Sequence, residues 1–146
     1  MKSNQKSANF AAITSVIILF AFVGMLSMSF VTISTTGDKK PWVVPDKDKA
    51  VKNPVASDAT SIAAGKTLYT KLCKSCHGAT GKGDGPKSKE LETPTGSFLD
   101  ATFTAQTDGE VFFKVRKGRD DMPGFSKETE ANDVWNIINY VRSLKK

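Results

Sequence analysis

Cys73-Lys-Ser-Cys76-His77 is the stretch of this sequence that decides its fold. Two cysteines three positions apart, followed directly by a histidine, form the pattern of a c-type haem attachment site. Residues three apart lie on the same side of a helical turn, so each sulfur can form a thioether with one haem vinyl group. The pattern predicts haem c bound covalently to Cys73 and Cys76, with His77 as the proximal ligand of the iron.

Two other chemistries use paired cysteines at this spacing. A structural zinc site needs about four protein ligands, and this chain has only Cys73, Cys76 and His77 as thiolate or imidazole donors. A thioredoxin-like redox pair follows a strand in a βαβ pattern, whereas this pair follows a run with helical periodicity at 62–72. Haem attachment is therefore the stronger interpretation.

The usual candidates for the second axial ligand are a second histidine and a methionine. His77 is the only histidine, so two histidines of this chain cannot share the iron. Histidine with methionine is a common axial pair, and only Met122 lies beyond the first 28 residues. A turn at Pro123 and Gly124 would present its sulfur, although a lone methionine can also fill a gap in a core.

Apolar periodicity predicts helices and no strands. One helix runs from Ser61 to the cysteine motif, and a second covers 107–118, with Thr107 or Asp108 as its cap and Gly118 as its stop. A third follows a capping sequence at 126–130. Its predicted buried stripe consists of Val134, Trp135, Ile138, Val141 and Leu144. The loop composition of 78–96 suits a segment that wraps the haem edge.

Four motifs together carry a family resemblance. They are Cys73-x-x-Cys76-His77-Gly78, Gly81-Lys-Gly-Asp-Gly85-Pro86, Met122-Pro123-x-Phe125 and a final helix with Trp135-x-x-x-x-Tyr140. From about Ser57 to Lys146 the sequence resembles the class I cytochromes c, in the small monohaem form of bacterial respiratory chains. The resemblance implies an all-α fold, with cytochrome c-like helices around one covalent haem and the first and last helices crossing at Gly65.

The same resemblance suggests neighbours of the cofactor. It implies that the carbonyl of Pro86 accepts a hydrogen bond from the ring of His77, which would fix the ring and strengthen the ligand. Arg119 and Arg116 are candidate partners of the haem propionates.

The N-terminal region predicts a membrane anchor. Residues 10–33 contain no charge and are mostly apolar, which meets the roughly 20 residues needed to span a bilayer. We therefore expect a cytoplasmic N-terminus at 1–9, a transmembrane signal anchor at 10–33, a linker at 34–57 and the haem domain at 58–146. The all-α domain is thus preceded by one transmembrane helix.

The expected location is the bacterial cytoplasmic membrane, crossed once. Lys2 and Lys6 favour a cytoplasmic N-terminus, and family likeness puts c-type haem attachment on the periplasmic or outer side. The alternative is a signal peptide cleaved near Ser27-Met-Ser29, which would leave a soluble carrier.

The predicted linker is rich in proline and in alternating lysine and aspartate. About twenty extended residues would reach at most ~70 Å, which would let the haem domain swing between membrane partners. In the alternative, Trp42 to Pro45 docks on the haem domain or sits at the membrane interface.

With His77 and Met122 both on iron, no position is open for a small-molecule substrate. The expected function is one-electron transfer in a respiratory chain, by an electron carrier and not an enzyme. Alternatives are the cytochrome c subunit of a larger oxidoreductase complex, or a haem enzyme or gas sensor with an open iron site.

Partners are expected to be redox proteins, and one interpretation of the lysines gives these partners an acidic docking face. The formal net charge is +6, and lysines bracket the haem motif, which would steer an acidic partner to the haem edge. These are Lys71, Lys74, Lys82, Lys87 and Lys89. The basic residues lack interleaved aromatics, so nucleic acid is not an expected partner.

Overall fold

The computed structural model describes residues 41–145. The predicted cytoplasmic N-terminus at 1–9, the predicted anchor at 10–33 and the first part of the predicted linker, at 34–40, lie outside the described residues. Among the helices at 41–145, none has the length and apolar character needed to cross a bilayer.

Six α-helices and one 3₁₀ helix form the described part of the chain, where the only strand-like pairing is a bridge between Arg119 and Met122. The prediction of an all-α domain is confirmed. In chain order the elements are α1 (Asp46–Lys49), α2 (Ala59–Leu72), α3 (Lys74–His77), the 3₁₀ helix (Pro86–Glu90), α4 (Ala101–Thr104), α5 (Asp108–Lys117) and α6 (Ala131–Ser143).

Capping residues set the ends of α2 and α5. Helix α2 begins two residues before the predicted Ser61, because Asp58 caps it by accepting a hydrogen bond from the Ser61 N–H at 2.8 Å. Helix α5 has Thr107 at its N-cap, in a capping box with Glu110, and ends at Gly118 with φ 68°. The predicted bounds of α5 are therefore confirmed.

Helix α6 begins at Ala131, directly after the predicted capping sequence at 126–130, and Glu130 is its N-cap. No side-chain hydrogen bond caps it. Within the capping sequence, the Thr129 hydroxyl donates to the Phe125 carbonyl at 2.7 Å. The predicted stripe is correct: its first four members are buried and Leu144 is half-buried.

Helices α2 and α6 cross at Gly65, as predicted. A Cβ built on Gly65 would collide with the backbone carbonyl of Asn136 in α6. One turn further along α2, the ring of Tyr69 lies 5.1 Å from that of Tyr140, and Tyr69 is 1% exposed. Only glycine lets the two backbones approach this closely.

The described part of the predicted linker, from residue 41 to residue 57, packs on the helical domain, which agrees with the alternative that docks Trp42 to Pro45 there. Val44 is buried, and the hydroxyl of Thr107 donates to the carbonyl of Lys49 at 2.8 Å. The composition that suggested a tether is equally typical of an ordered surface segment.

The buried side-chain amide of Asn139 in α6 forms hydrogen bonds with the segment that precedes α2. Asn139 is 4% exposed; its Nδ2 donates to the carbonyls of Val55 and Ala56 and to the Ser61 hydroxyl, and its Oδ1 accepts from Asn53. These bonds satisfy the whole side chain. Asn139 therefore ties the segment before α2 to the last helix.

We expect Asn139→Ala to lower the free energy of unfolding by about 2 kcal/mol, because buried polar groups lose their partners. Chemical denaturation of the haem-loaded full-length chain measures the loss. Asn132→Ala, at an exposed position of the same helix, is the matched control. Equal stabilities of the two variants would contradict the role of the Asn139 network.

Candidate functional site

The cysteine motif lies at a helix junction. Cys73 ends α2 and precedes α3, and its carbonyl accepts hydrogen bonds from the N–H groups of Cys76 at 3.2 Å and His77 at 2.9 Å. Both thiols are free and half-buried. The two cysteines and the histidine therefore share one turn, as the spacing predicts.

Backbone hydrogen bonds hold the following loop against this turn. The N–H of Gly83 donates to the His77 carbonyl at 2.9 Å, and that of Gly85 donates to the Cys76 carbonyl at 3.2 Å. The buried Tyr69 hydroxyl donates to the Gly78 carbonyl at 2.7 Å. The loop that was predicted to wrap the cofactor is thus fixed to the attachment turn.

A tight turn presents Met122. Its N–H donates to the Arg119 carbonyl and its carbonyl accepts from the Arg119 N–H, both at 2.9 Å. The turn is centred on Asp120, with φ 52°, and Asp121. It therefore precedes the sulfur, whereas the sequence predicted a turn after it, at Pro123 and Gly124.

These three pieces line one cavity of about 280 Å³. A cavity of about 150 Å³ holds benzene, so this space suits a group larger than one aromatic ring. Most of its wall is apolar. Five of the predicted site residues line it, namely Cys73, Cys76, His77, Met122 and Arg119.

The imidazole of His77 is suited to metal binding. Burial lowers its pKa to about 4, so the ring is neutral near pH 7, the form in which histidine binds metals. The ring stacks on Phe98, with the centroids 4.5 Å apart. Phe98 thus fixes the ring plane, a role the sequence did not reveal because the phenylalanine stands in a polar loop.

The predicted hydrogen bond between His77 and Pro86 is absent. The buried Nδ1 of His77 has no hydrogen-bond partner. Pro86 begins the 3₁₀ helix, whose first turn is held by hydrogen bonds from Ser88 to the Gly85 carbonyl. Pro86 is also not among the residues that line the cavity.

The thiol chemistry disfavours the two alternatives for the cysteine pair. Burial, followed by the charge of Cys76, raises the pKa of Cys73 to about 12, whereas redox-active cysteines have lowered pKa values. Within 41–145, no three His, Cys, Asp or Glu side chains are grouped to bind a metal ion. Neither a thioredoxin-like pair nor a zinc cluster fits these residues.

The cavity fits haem c. It combines apolar walls, two thiols on one turn, a neutral imidazole and a thioether. Within the described chain, the buried side-chain polar atoms that lack a partner are His77 Nδ1 and Thr95 Oγ1, and both residues line this cavity. Unpaired buried polar atoms call for an explanation, and a polar-edged cofactor would supply partners.

The two candidate arginines lie in different places. Arg119 lines the cavity, and its Nε lies 3.2 Å from the carboxylate of Asp120. Arg116 donates to the Thr129 carbonyl at 2.7 Å and does not line the cavity. The suggestion that Arg116 faces a propionate is therefore wrong.

Trp42 and Lys114 also line the cavity. Trp42 was expected near the haem domain only in the alternative that docks Trp42 to Pro45 on it. Lys114, among the charged positions of α5, was missed by sequence reasoning. Nothing in the sequence pattern distinguishes Lys114 from the neighbouring Lys117.

The five lysines that bracket the motif are all exposed. Two of them, Lys87 and Lys89, lie on the 3₁₀ helix, which packs beside α3. The described surface near the attachment turn therefore carries basic side chains that are accessible to a partner.

This chain is similar to known proteins in both sequence and fold. The family model described as Cytochrome c matches residues 62–145, and no curated protein gives a significant match. Among solved structures, the chain is similar to a chain of the Kuenenia stuttgartiensis reducing HAO-like protein complex Kustc0457/Kustc0458, with 29% identity and a TM-score of 0.60. The similarity covers 76% of this chain and 53% of that one, so this chain spans about half its length. On the strength of the family match, this chain belongs to the cytochrome c family.

Proposed function

We propose that this chain is a one-electron carrier, a class I monohaem cytochrome c with His77 and Met122 as the axial ligands of its iron. The observation that carries the proposal is that both residues line one cavity together with Cys73 and Cys76. With both residues as its ligands, the iron would have no open position for a substrate. The chain would then be an electron carrier and not an enzyme.

Each residue has a distinct task in this proposal. Cys73 and Cys76 hold the cofactor covalently, and neutral His77 is oriented by the ring of Phe98. The turn at Asp120 and Asp121 positions the Met122 sulfur, while the apolar wall excludes water. When bound, haem c supplies a one-electron couple, whose potential methionine ligation raises.

We also propose that the carrier is anchored in the bacterial cytoplasmic membrane by residues 10–33 and serves a respiratory chain from the periplasmic or outer side. The support is the uncharged apolar run, which is long enough to span a bilayer.

A second candidate is the cytochrome subunit of a larger oxidoreductase complex. Its support is the similarity to a chain of a reducing HAO-like protein complex. Purification from gently solubilised membranes separates the candidates. A carrier elutes alone, whereas a subunit elutes with other redox proteins in fixed ratio.

Visible spectroscopy of the haem-loaded full-length chain tests the proposed ligation. We expect a low-spin spectrum, a methionine-to-iron charge-transfer band when oxidised, and no prompt response of the reduced form to carbon monoxide. A high-spin spectrum or prompt carbon monoxide binding would instead favour a haem enzyme or gas sensor.

The exposed lysines predict a charge-dependent encounter with acidic partners. With ferricyanide as an anionic probe, we expect oxidation of the reduced chain to slow as ionic strength rises. Lys87→Glu with Lys89→Glu should lower the rate several-fold at low salt. The control is Lys127→Glu with Lys145→Glu, which makes the same charge change at two other exposed lysines. Equal slowing of both double variants would show a dependence on net charge alone.

A further inference from the structure

Residues 41–51, here called the strap, precede the part of the chain that matches the cytochrome c family. They nevertheless contribute to the cavity, because Trp42 is one of the residues that line it. Two residues further on, Val44 is 3% exposed, while the intervening Val43 is 81% exposed. At the start of the strap, Trp42 and Val44 therefore face the helical domain and Val43 faces solvent.

The backbone of the strap is seated on the start of α5. A Cβ built on Gly109 would collide with the carbonyl of Asp48 and lie 2.7 Å from that of Val51. The Thr107 hydroxyl donates to the neighbouring Lys49 carbonyl at 2.8 Å. Since Gly109 does not line the cavity, a change there reaches the cavity only through the strap or α5.

Trp42 organises the polar wall of the cavity. The guanidinium carbon of Arg119 lies 4.6 Å from the centre of its ring, and Lys114 Nζ lies 5.8 Å from it. Both distances fall within the range of cation–π attraction. The indole thus holds two cationic side chains, and all three residues line the cavity.

The charges on this wall are unevenly compensated. Arg119 pairs with Asp120 at 3.2 Å, and Asp121 accepts a hydrogen bond from the Thr93 N–H at 3.1 Å. The Nζ of Lys114 donates to the neutral Gln106 side chain at 2.5 Å, and the charges that act on it are those of Glu110, one turn earlier in α5, and Arg119. Burial lowers the pKa of Lys114, so an anionic partner at the wall would stabilise its charged form.

We propose that the strap is part of the haem site, and that Trp42 positions Lys114 and Arg119 to face the carboxylates of the bound haem. The inference rests on the proposed function, since it assumes that haem fills the cavity. It adds that the family domain alone leaves the cofactor site incomplete. Trp42 acts here as a positioning residue.

The test uses four haem-loaded full-length variants: Trp42→Ala, Trp42→Phe, Gly109→Ala and the control Val43→Ala. The readouts are the midpoint potential at fixed pH and salt, and the rate at which added imidazole binds the oxidised haem. We expect Trp42→Ala and Gly109→Ala to lower the potential and to accelerate imidazole binding several-fold. Trp42→Phe, which keeps a ring, should lie between Trp42→Ala and the wild type, and Val43→Ala should match the wild type.

Lys114→Gln, compared with Lys117→Gln on the same helix, tests the carboxylate contact directly. Removal of a cation that faces haem carboxylates should lower the potential in the first variant and leave it unchanged in the second, which alters an exposed side chain. Equal potentials in the two variants would overturn the assignment of Lys114.

Wild-type behaviour of both Trp42→Ala and Gly109→Ala would overturn the role of the strap. If Trp42→Ala changed the midpoint potential and Gly109→Ala did not, docking of the strap through Gly109 would be contradicted. The proposal that the whole strap is part of the haem site would then be overturned. The proposed function fails separately, on the spectrum of the wild-type protein. A low-spin wild type with unresponsive strap variants would therefore refute this inference alone.

Discussion

Met122→Leu is expected to convert the low-spin haem spectrum to a high-spin one, with prompt carbon monoxide binding in the reduced form. Leucine has nearly the volume of methionine, so the apolar wall stays filled while the sulfur donor is lost. The midpoint potential should fall by on the order of 100 mV, a modest part of the ≈ 0.8 V range that axial ligands control. Redox titration and visible spectra measure both effects.

Leu91→Ala is the control for this experiment. Leu91 also lines the cavity and is half-buried, so the substitution disturbs the wall without removing a proposed ligand. The Leu91→Ala variant should keep the low-spin spectrum, and its midpoint potential should stay close to that of the wild type. If Met122→Leu also remained low-spin and insensitive to carbon monoxide, Met122 would not be the ligand.

The attachment turn could be predicted from sequence because its geometry is local. Cys73, Cys76 and His77 lie within five positions, and one helical turn fixes their relation whatever surrounds them. The crossing at Gly65 was also predictable, from family resemblance. The bounds of α5 followed from Thr107 and Gly118, whose capping roles depend on neighbouring backbone groups.

Contacts between distant segments could not be predicted from local pattern. The strap was interpreted as a tether, with docking of Trp42 to Pro45 as the open alternative, because proline and alternating charge describe any exposed segment. The contact that distinguishes the two involves Gly109, some sixty residues later. The Met122 turn lies at Asp120 and Asp121 because two backbone hydrogen bonds with Arg119 close it. The Pro86 hydrogen bond rested on resemblance alone, and the Nδ1 of His77 has no hydrogen-bond partner here.

The crossing of α2 and α6 provides the other large expected effect. Gly65→Ala should lower the free energy of unfolding by at least about 3 kcal/mol, the upper part of the range for overpacked sites. The added methyl group would meet the Asn136 carbonyl, which is backbone and cannot rotate away like a side chain. Helix propensity favours alanine over glycine by about 1 kcal/mol. The destabilisation from the clash must therefore exceed the stabilisation from the higher propensity of alanine. Denaturant unfolding of the haem-loaded full-length chain measures the net change.

Ala64→Gly is the matched control, because position 64 is an exposed neighbour in the same helix. At this position only the lower helix propensity of glycine should act, and it should lower the free energy of unfolding by about 1 kcal/mol. Glycine is thus expected to give a less stable protein than alanine at position 64 and a more stable one at position 65. Intrinsic helix propensity alone would favour alanine at both positions. A Gly65→Ala variant as stable as the wild type would show that the backbones of α2 and α6 do not touch here. The position of Tyr69, whose hydroxyl donates to the Gly78 carbonyl, would then need an explanation other than close packing of α2 on α6.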